Sequence, residues 1–222
     1  GRVGGTINLV PKRAGDQALT QLTTSILSDS QVWTHLDVGR RFGTGGEWGL
    51  RANGSRRAGD SALDNNSVEV GVATLGLDYR GDRLRASLDA SLSDQNLDAP
   101  TSLFNAALPG IDIPDAPDGK VNTANPFEYH DSSHRMIAGR LEYDIRPDTT
   151  IYAAAGASRY CEDFLTSNYV IQDADGDALN TFGYNPQQIQ GFSGEVGLRS
   201  QFMTGSVGHA LSLSAARSVN EN

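Results

Sequence analysis

The sequence predicts an all-β fold: an antiparallel up-and-down transmembrane β-barrel, of which this chain supplies a partial, open curved sheet. Three observations predict it. β-type segments are joined by connections that run short, long, short again. Apolar residues recur at every second position within the segments. Aromatic residues gather beside the short connections.

The short connections are Gly43-Thr44-Gly45-Gly46, Arg80-Gly81-Asp82-Arg83, Arg146-Pro147-Asp148-Thr149 and Met203-Thr204-Gly205-Ser206-Val207. Longer polar stretches lie between them, near 57–66, 95–133 and 161–190. Barrels of the bacterial outer membrane have this asymmetry, with tight turns on the periplasmic side and long loops outside.

Alternation carries the lipid argument. From Arg135 to Ile145, Ile137, Gly139, Leu141, Tyr143 and Ile145 share one parity, while Met136, Ala138, Arg140, Glu142 and Asp144 share the other. Successive strand side chains point to opposite faces, so one face is apolar and the other charged. In Arg83–Leu92, Leu84, Ala86, Leu88, Ala90 and Leu92 oppose Arg85, Ser87, Asp89 and Ser91. In Phe192–Phe202, Phe192, Gly194, Val196, Leu198 and Phe202 oppose Glu195 and Arg199. About ten residues suffice for a tilted strand to cross the hydrocarbon layer. A half-buried strand of a soluble sheet has the same period; the loop rhythm is what favours the membrane. Phe42, Trp48, Tyr79, Tyr143 and Phe202 stand beside short turns on the apolar parity, as an interfacial aromatic girdle requires.

In order, strands are expected near 3–12, 17–28, 31–42, 47–56, 67–79, 84–94, 134–145, 150–160, 191–202 and 208–218. The 67–79 strand changes phase, because Val68, Val70 and Val72 share one parity and Leu75, Leu77 and Tyr79 the other. A β-bulge near Ala73 or Thr74 would bring both sets to one side; alternatively, Val68–Val72 lies beyond the membrane edge.

Composition narrows the function. No run of 18 apolar residues suggests a transmembrane helix, and no secretory signal opens the chain. Since an outer-membrane protein is exported with a signal, the sequence reads as a mature fragment. A net charge of −9 argues against nucleic acid as a partner, since phosphate contacts need a basic surface. The single Cys161 cannot close an internal disulfide.

Candidate chemical motifs fail on geometry. Gly43–Gly49 has the wrong glycine spacing for a phosphate loop and lies between strands. Gly191-Phe192-Ser193-Gly194-Glu195 lacks the last glycine of a nucleophile elbow. His130 and His134 have the i, i+4 spacing of a helical metal site but sit where a loop enters a strand. Asp173-Ala174-Asp175-Gly176-Asp177 alternates carboxylates like a calcium loop, yet Ala178 and Tyr184 stand where Gly and Glu are needed. Neither enzymatic activity, nor a cofactor, nor a metal is expected. The 94–133 and 161–190 stretches hold twelve of the 27 acidic residues and one base, Lys120.

A family resemblance rests on the two ends and the middle. Gly4-Gly5-Thr6-Ile7-Asn8-Leu9-Val10-Pro11-Lys12-Arg13 resembles the segment closing the N-terminal plug of TonB-dependent receptors, just before barrel strand one. Phe202–Leu211 is similar to a periplasmic turn of the siderophore (ferric hydroxamate-like) branch, and Asp115–Tyr129 to that branch's long third loop. Leu141-Glu142-Tyr143-Asp144-Ile145 and Tyr152-Ala153-Ala154-Ala155-Gly156 resemble the hairpin after it.

The resemblance implies a plugged 22-stranded barrel in the outer membrane of a Gram-negative bacterium, importing ferric siderophores with energy from TonB–ExbB–ExbD. Residues 1–13 would be the C-terminal tail of the plug. Residues 14–222 would be the N-terminal part of the barrel, about nine strands, in contact with outer-membrane lipid and lipopolysaccharide. TonB would engage an N-terminal part that this sequence does not contain. Siderophore pockets of the family use aromatic side chains, and the matching region offers Phe104, Phe127, Tyr129, Tyr160, Phe164, Tyr169 and Tyr184. Aromatic faces suit a bulky, partly apolar chelate. Alternatives are a passive porin, TonB-dependent uptake of cobalamin, haem or an oligosaccharide, and a soluble β-sheet binding protein.

Overall fold

The computed structural model describes residues 10–101, 104–112 and 114–222, with residues 104–106 described by their backbone alone. Ten strands run in chain order: β1 (Leu19–Leu27), β2 (Gln31–Phe42), β3 (Trp48–Asp60), β4 (Ser67–Arg80), β5 (Leu84–Asp98), β6 (Phe104–Ala107), β7 (Tyr129–Arg146), β8 (Thr149–Ile171), β9 (Ala178–Thr204) and β10 (Val207–Glu221). All but β6 form one open, curved antiparallel sheet in sequence order. β6 instead pairs in parallel with the end of β8.

Parity sorts the two faces as the sequence requires. Leu141 pairs with Ala86 and Ala153, and Ala153 with Val196, so four strands place apolar groups side by side. On the same face Leu88, Leu92, Ile137, Leu141, Val196 and Leu213 are all about half exposed or more. Few large side chains are buried; among the described residues the buried apolar ones are Ala14, Ala99, Ala124 and Ile171. A sheet built this way has its apolar core in the lipid. At the short-turn end Phe42, Trp48 and Tyr79 are register partners. Their ring centroids lie 6.5 and 4.9 Å apart, which makes a continuous aromatic row.

The short turns are built from residues that tolerate them. Gly43 and Gly46 take φ of +98° and +71°, closed by a bond from Gly46 N to Gly43 O of 3.2 Å. Gly205 takes φ +60°, the left-handed conformation that costs glycine no Cβ clash.

Several expectations are corrected. Pairing of β3 with β4 and of β4 with β5 runs without a register shift, so no bulge forms at Ala73 or Thr74. Val68, Val70 and Val72 line the inner face instead. The expected strand at 3–12 lies largely outside the described residues, and its end, from Val10 to Lys12, is not in a strand. The expected loop at 161–190 is mostly strand: β8 and β9 continue as a ribbon, joined only by residues 172–177. The 95–133 connection shrinks to 99–128 and contains β6. One connection at the long-loop end is brief, since residues 28–30 join β1 to β2.

Candidate functional site

The inner face begins with the chain that leads into β1. Arg13 forms a two-point ion pair with Asp89 of β5, at 2.6 and 2.7 Å. Arg51 of β3 holds Asp37 of β2 through two bonds of 2.6 Å, and donates a third to the Arg13 carbonyl at 3.0 Å. Arg41 of β2 donates to Asp78 at 2.9 Å and to the Ala14 carbonyl at 3.1 Å. Planar guanidinium groups suit such multipoint contacts. Arg41 and Asp78 are each only 6% exposed, and Ala14 is buried. The entering segment is thereby fastened to the sheet by three strands at once.

Further round, Glu142 of β7 gathers Arg85, Arg140 and Arg199 at 3.1, 2.8 and 2.6 Å. Arg85 also grips Asp144 at 2.6 and 2.7 Å. Tyr152 donates to Glu195 at 2.7 Å, and the Arg140 guanidinium lies 4.5 Å from the Tyr152 ring centroid. Opposite charges on neighbouring strands of one face stabilise their register.

Nearer the long-loop end the inner wall becomes aromatic. His130 and His134 of β7 lie across from Phe164 and Tyr160 of β8. The His130 ring is 5.2 Å from that of Phe164, and its Nε2 is 2.7 Å from Glu162. Because the two histidines lie on a strand, four residues separate them by about 13 Å. A shared metal needs ligand atoms within about 4 Å of each other. Among the described residues, no group of three metal-ligating side chains occurs.

The connection between β5 and β7 is fixed by a buried carboxylate. Glu128 is 1% exposed. It accepts bonds from Asn125 N and Nδ2 at 2.9 and 2.7 Å, from Ser167 N at 2.9 Å, and from the Ser167 hydroxyl. Burial pushes this carboxyl upward, but the Ser167 and Asn125 donors together outweigh it and hold it below the ordinary range. Asn66 and Asn122 both donate to the Ala99 carbonyl, tying the start of the same loop.

The seven aromatic candidates separate into groups. Tyr160 and Phe164 share the inner parity with His130 and His134. Tyr129 and Tyr184 have the opposite parity, beside Leu165. Tyr129 donates to Asp163 at 3.1 Å, and Tyr184 is 62% exposed. Tyr169 donates to the Thr123 carbonyl at 2.6 Å, bracing the loop. Phe127 packs on Phe182 with centroids 5.4 Å apart. Phe104 pairs by its backbone with Tyr169, and its side chain lies outside the described residues. The roles of Glu128 and Glu162 were missed by sequence reasoning, since each depends on partners more than 30 residues away. The Asn125–Glu128 spacing was the only local hint. The Asp173–Asp177 stretch is a turn: the Asp173 carboxylate accepts from Asp175 N and Asp177 N, both at 3.1 Å, as aspartate does in an Asx turn.

No protein-family model matches the chain. Among curated proteins it is 37% identical over 215 residues to the ferrichrome receptor FcuA of Yersinia enterocolitica, covering 96% of this chain and 28% of the relative. Among solved structures it matches BauA, the ferric preacinetobactin receptor of Acinetobacter baumannii, at 30% identity and a TM-score of 0.90, over 94% of this chain and 31% of that one. The ferric-catecholate import receptor Fiu of E. coli K12 matches at 24% identity and a TM-score of 0.80, over 96% and 33%; that likeness shows the fold alone. The chain thus spans about a third or less of the length of each.

Proposed function

Because the chain belongs to the TonB-dependent outer-membrane siderophore receptors, we propose that the intact protein imports a ferric siderophore across the outer membrane, driven by TonB. Residues 1–13 are the tail of its plug, and residues 14–222 are the first nine or so strands of its barrel. A barrel's strand number, tilt and stagger are linked, so this part forms wall and mouth and does not carry solute by itself. TonB acts through the part of the protein N-terminal to this chain.

The observation that carries the reading is the wall patch of Tyr160, Phe164, His130 and His134 on the inner face of β7 and β8, on the long-loop side of the Glu142 network. Rings and imidazoles supply flat apolar faces with polar edges, which suits an iron chelate. Tyr160 and Phe164 contact the solute. Tyr129 and Tyr169 position the third loop, while Phe127 and Tyr184 belong to its outer rim.

The test is iron-limited growth of a receptor deletion and its complemented strain on a panel of purified ferric siderophores, with ferrichrome first. Growth that depends on the receptor for one of them supports the proposal. Dependence only for cobalamin, haem or an oligosaccharide would replace the substrate, and uptake unchanged without TonB would remove the mechanism.

A further inference from the structure

Arg41, Arg51, Arg85, Arg140 and Arg199 on the inner face each hold a carboxylate; Arg57 does not. On β3 it has the parity of Arg51, Asn53 and Ser55, so it faces inward with them. It is half-buried, and it has no hydrogen bond or ion pair among the described residues. The acids of β2, β3 and β4 are engaged elsewhere. Asp37 is held by Arg51 and Asp78 by Arg41, Asp60 accepts from Ser30, and Glu69 pairs with Arg56 on the outer face. The Arg57 guanidinium therefore keeps its several donors for a solute.

Its surroundings fit that use. Trp33 of β2 is its register partner on one side and Val70 of β4 on the other. The Trp33 and His35 rings are parallel to within 6°, with centroids 5.7 Å apart. Toward the short turns the inner wall sinks into a cavity of about 460 Å³, lined by Pro11, His35, Asn53, Thr74, Ser91 and Met136 among others. Going outward on the inner parity, Trp33 follows His35, Ser55 and then Arg57 follow Asn53, and His134 follows Met136. The Trp33–Arg57 pair and the His134–Tyr160 patch thus flank the long-loop side of one hollow. Trp33 and Arg57 lie nine residues from Phe42 and Trp48 respectively, about the length of one crossing, which sets them at the outer mouth. An enclosed hollow with a few convergent polar groups suits a small solute.

A ferric siderophore holds its iron in anionic oxygens carried on flat, conjugated groups. A planar guanidinium can donate to two such oxygens at once, and an indole face packs on the flat group beside them. We propose that Arg57 and Trp33 form a second contact wall of the siderophore site, Arg57 donating to the iron-bound oxygens and Trp33 covering the adjacent arm of the chelate. The inference rests on the siderophore reading and adds to it a residue that recognises the loaded form. Without iron those oxygens are protonated and uncharged, and a cation gains little from them.

The experiment measures equilibrium binding to the full-length receptor in detergent, with the panel of purified siderophores, ferrichrome first, each in its ferric and iron-free forms. For a siderophore that the wild type binds, Arg57→Gln should weaken the ferric form by about tenfold or more and leave the iron-free form within about twofold, so the preference for the loaded form shrinks. Trp33→Ala should weaken both forms. Arg56→Gln, one residue away on the outer face, should change neither. Heat-modifiable electrophoretic mobility reports whether each variant is folded. Equal affinity of the folded Arg57→Gln variant and the wild type for the ferric form overturns the proposal while leaving the transporter reading in place. So does an equal loss for both forms, which marks a structural role. If the wild type binds no ferric siderophore of the panel, the transporter reading falls and this site with it.

Discussion

Along β7, Ile137, Leu141, Tyr143 and Ile145 point outward and are 52%, 49%, 40% and 45% exposed. Between them, on the inward side, Arg140 and Glu142 are held in a network with Arg85, Arg199 and Tyr152. One strand thus meets two solvents, and it is stabilised differently on each side. Outward residues need no protein partner, because lipid matches them. Inward residues face water and the inserted segment, so each charge must be paired nearby. In a soluble sandwich the same apolar residues would be covered by a second sheet; here a single sheet suffices.

That contrast can be broken first where the inner face is driest. Arg41→Ala in the intact receptor leaves Asp78 with Arg80 as its remaining cation, 3.3 Å away, and frees the Ala14 carbonyl. Breaking a buried pair of this kind costs about 3–5 kcal/mol. A bilayer-folding titration should show it, together with faster proteolysis of the segment before β1. An effect under about 1 kcal/mol would mean that water reaches this pair freely.

Leu141→Arg tests the outward side. A cation near the bilayer midplane of a barrel costs about 2–4 kcal/mol, and Arg140→Ala, one residue away on the other face, should cost less. Equal sensitivity of the two positions in the same titration would reverse the assignment of faces.

Glu128→Gln moves the comparison beyond the membrane, where both faces meet water. Replacing a carboxylate that accepts four bonds should weaken the loop by about 1–3 kcal/mol, read as faster hydrogen exchange at Asn125 and Ser167. The same carboxylate gives the loop a pH dependence. Its folded pKa is depressed, so its contribution is complete above an ordinary glutamate's 4.5. It is lost as pH falls below that through the folded value. The Gln variant should exchange at a rate that is flat across this window.

The smallest effect is expected at Arg56→Ala. Its pair with Glu69 is 68% and 54% exposed, and exposed pairs contribute about 0.5 kcal/mol or less. A larger loss would mean that this outer rim is shielded by something besides solvent.

Parity is why most of the barrel wall could be read from the chain. Wherever one face meets lipid, apolar residues must fall on every second position, as they do from Ile137 to Ile145 and from Leu84 to Leu92. Above the membrane the constraint vanishes. The extension of β8 through Glu162–Ile171 and of β9 through Ala178–Gln190 carries no such alternation, and so it reads as loop. A bulge was needed only if Val68, Val70 and Val72 met lipid; they pair farther out than Leu92, opposite Leu97, Gln95 and Ser93, as in the alternative that places them beyond the membrane edge. β6 is a four-residue segment whose pairing with β8 depends on where β7 stops, which no local pattern encodes. In the candidate site, the composition of the rings was visible and their faces were not. Phe164, beyond the expected strand end at 160, could be set on the inner parity only once β8 was known to continue through it unbroken.

The projecting ribbon has a mechanical consequence. At about 3.3 Å per residue, the 23 residues of β8 extend roughly 75 Å, whereas a tilted crossing takes only about ten of them. What remains is a ribbon that projects from the bilayer, and beside its 172–177 tip β6 and Leu108 of the third loop are hydrogen-bonded to the end of β8. Well above the root, at residues 167–169 of β8, the bonds from Asn125 and Ser167 to Glu128 and from Tyr169 to Thr123 act as a strut. A sideways push on the tip is therefore resisted by the third loop, and whatever loosens Glu128 lowers the stiffness of the whole projection.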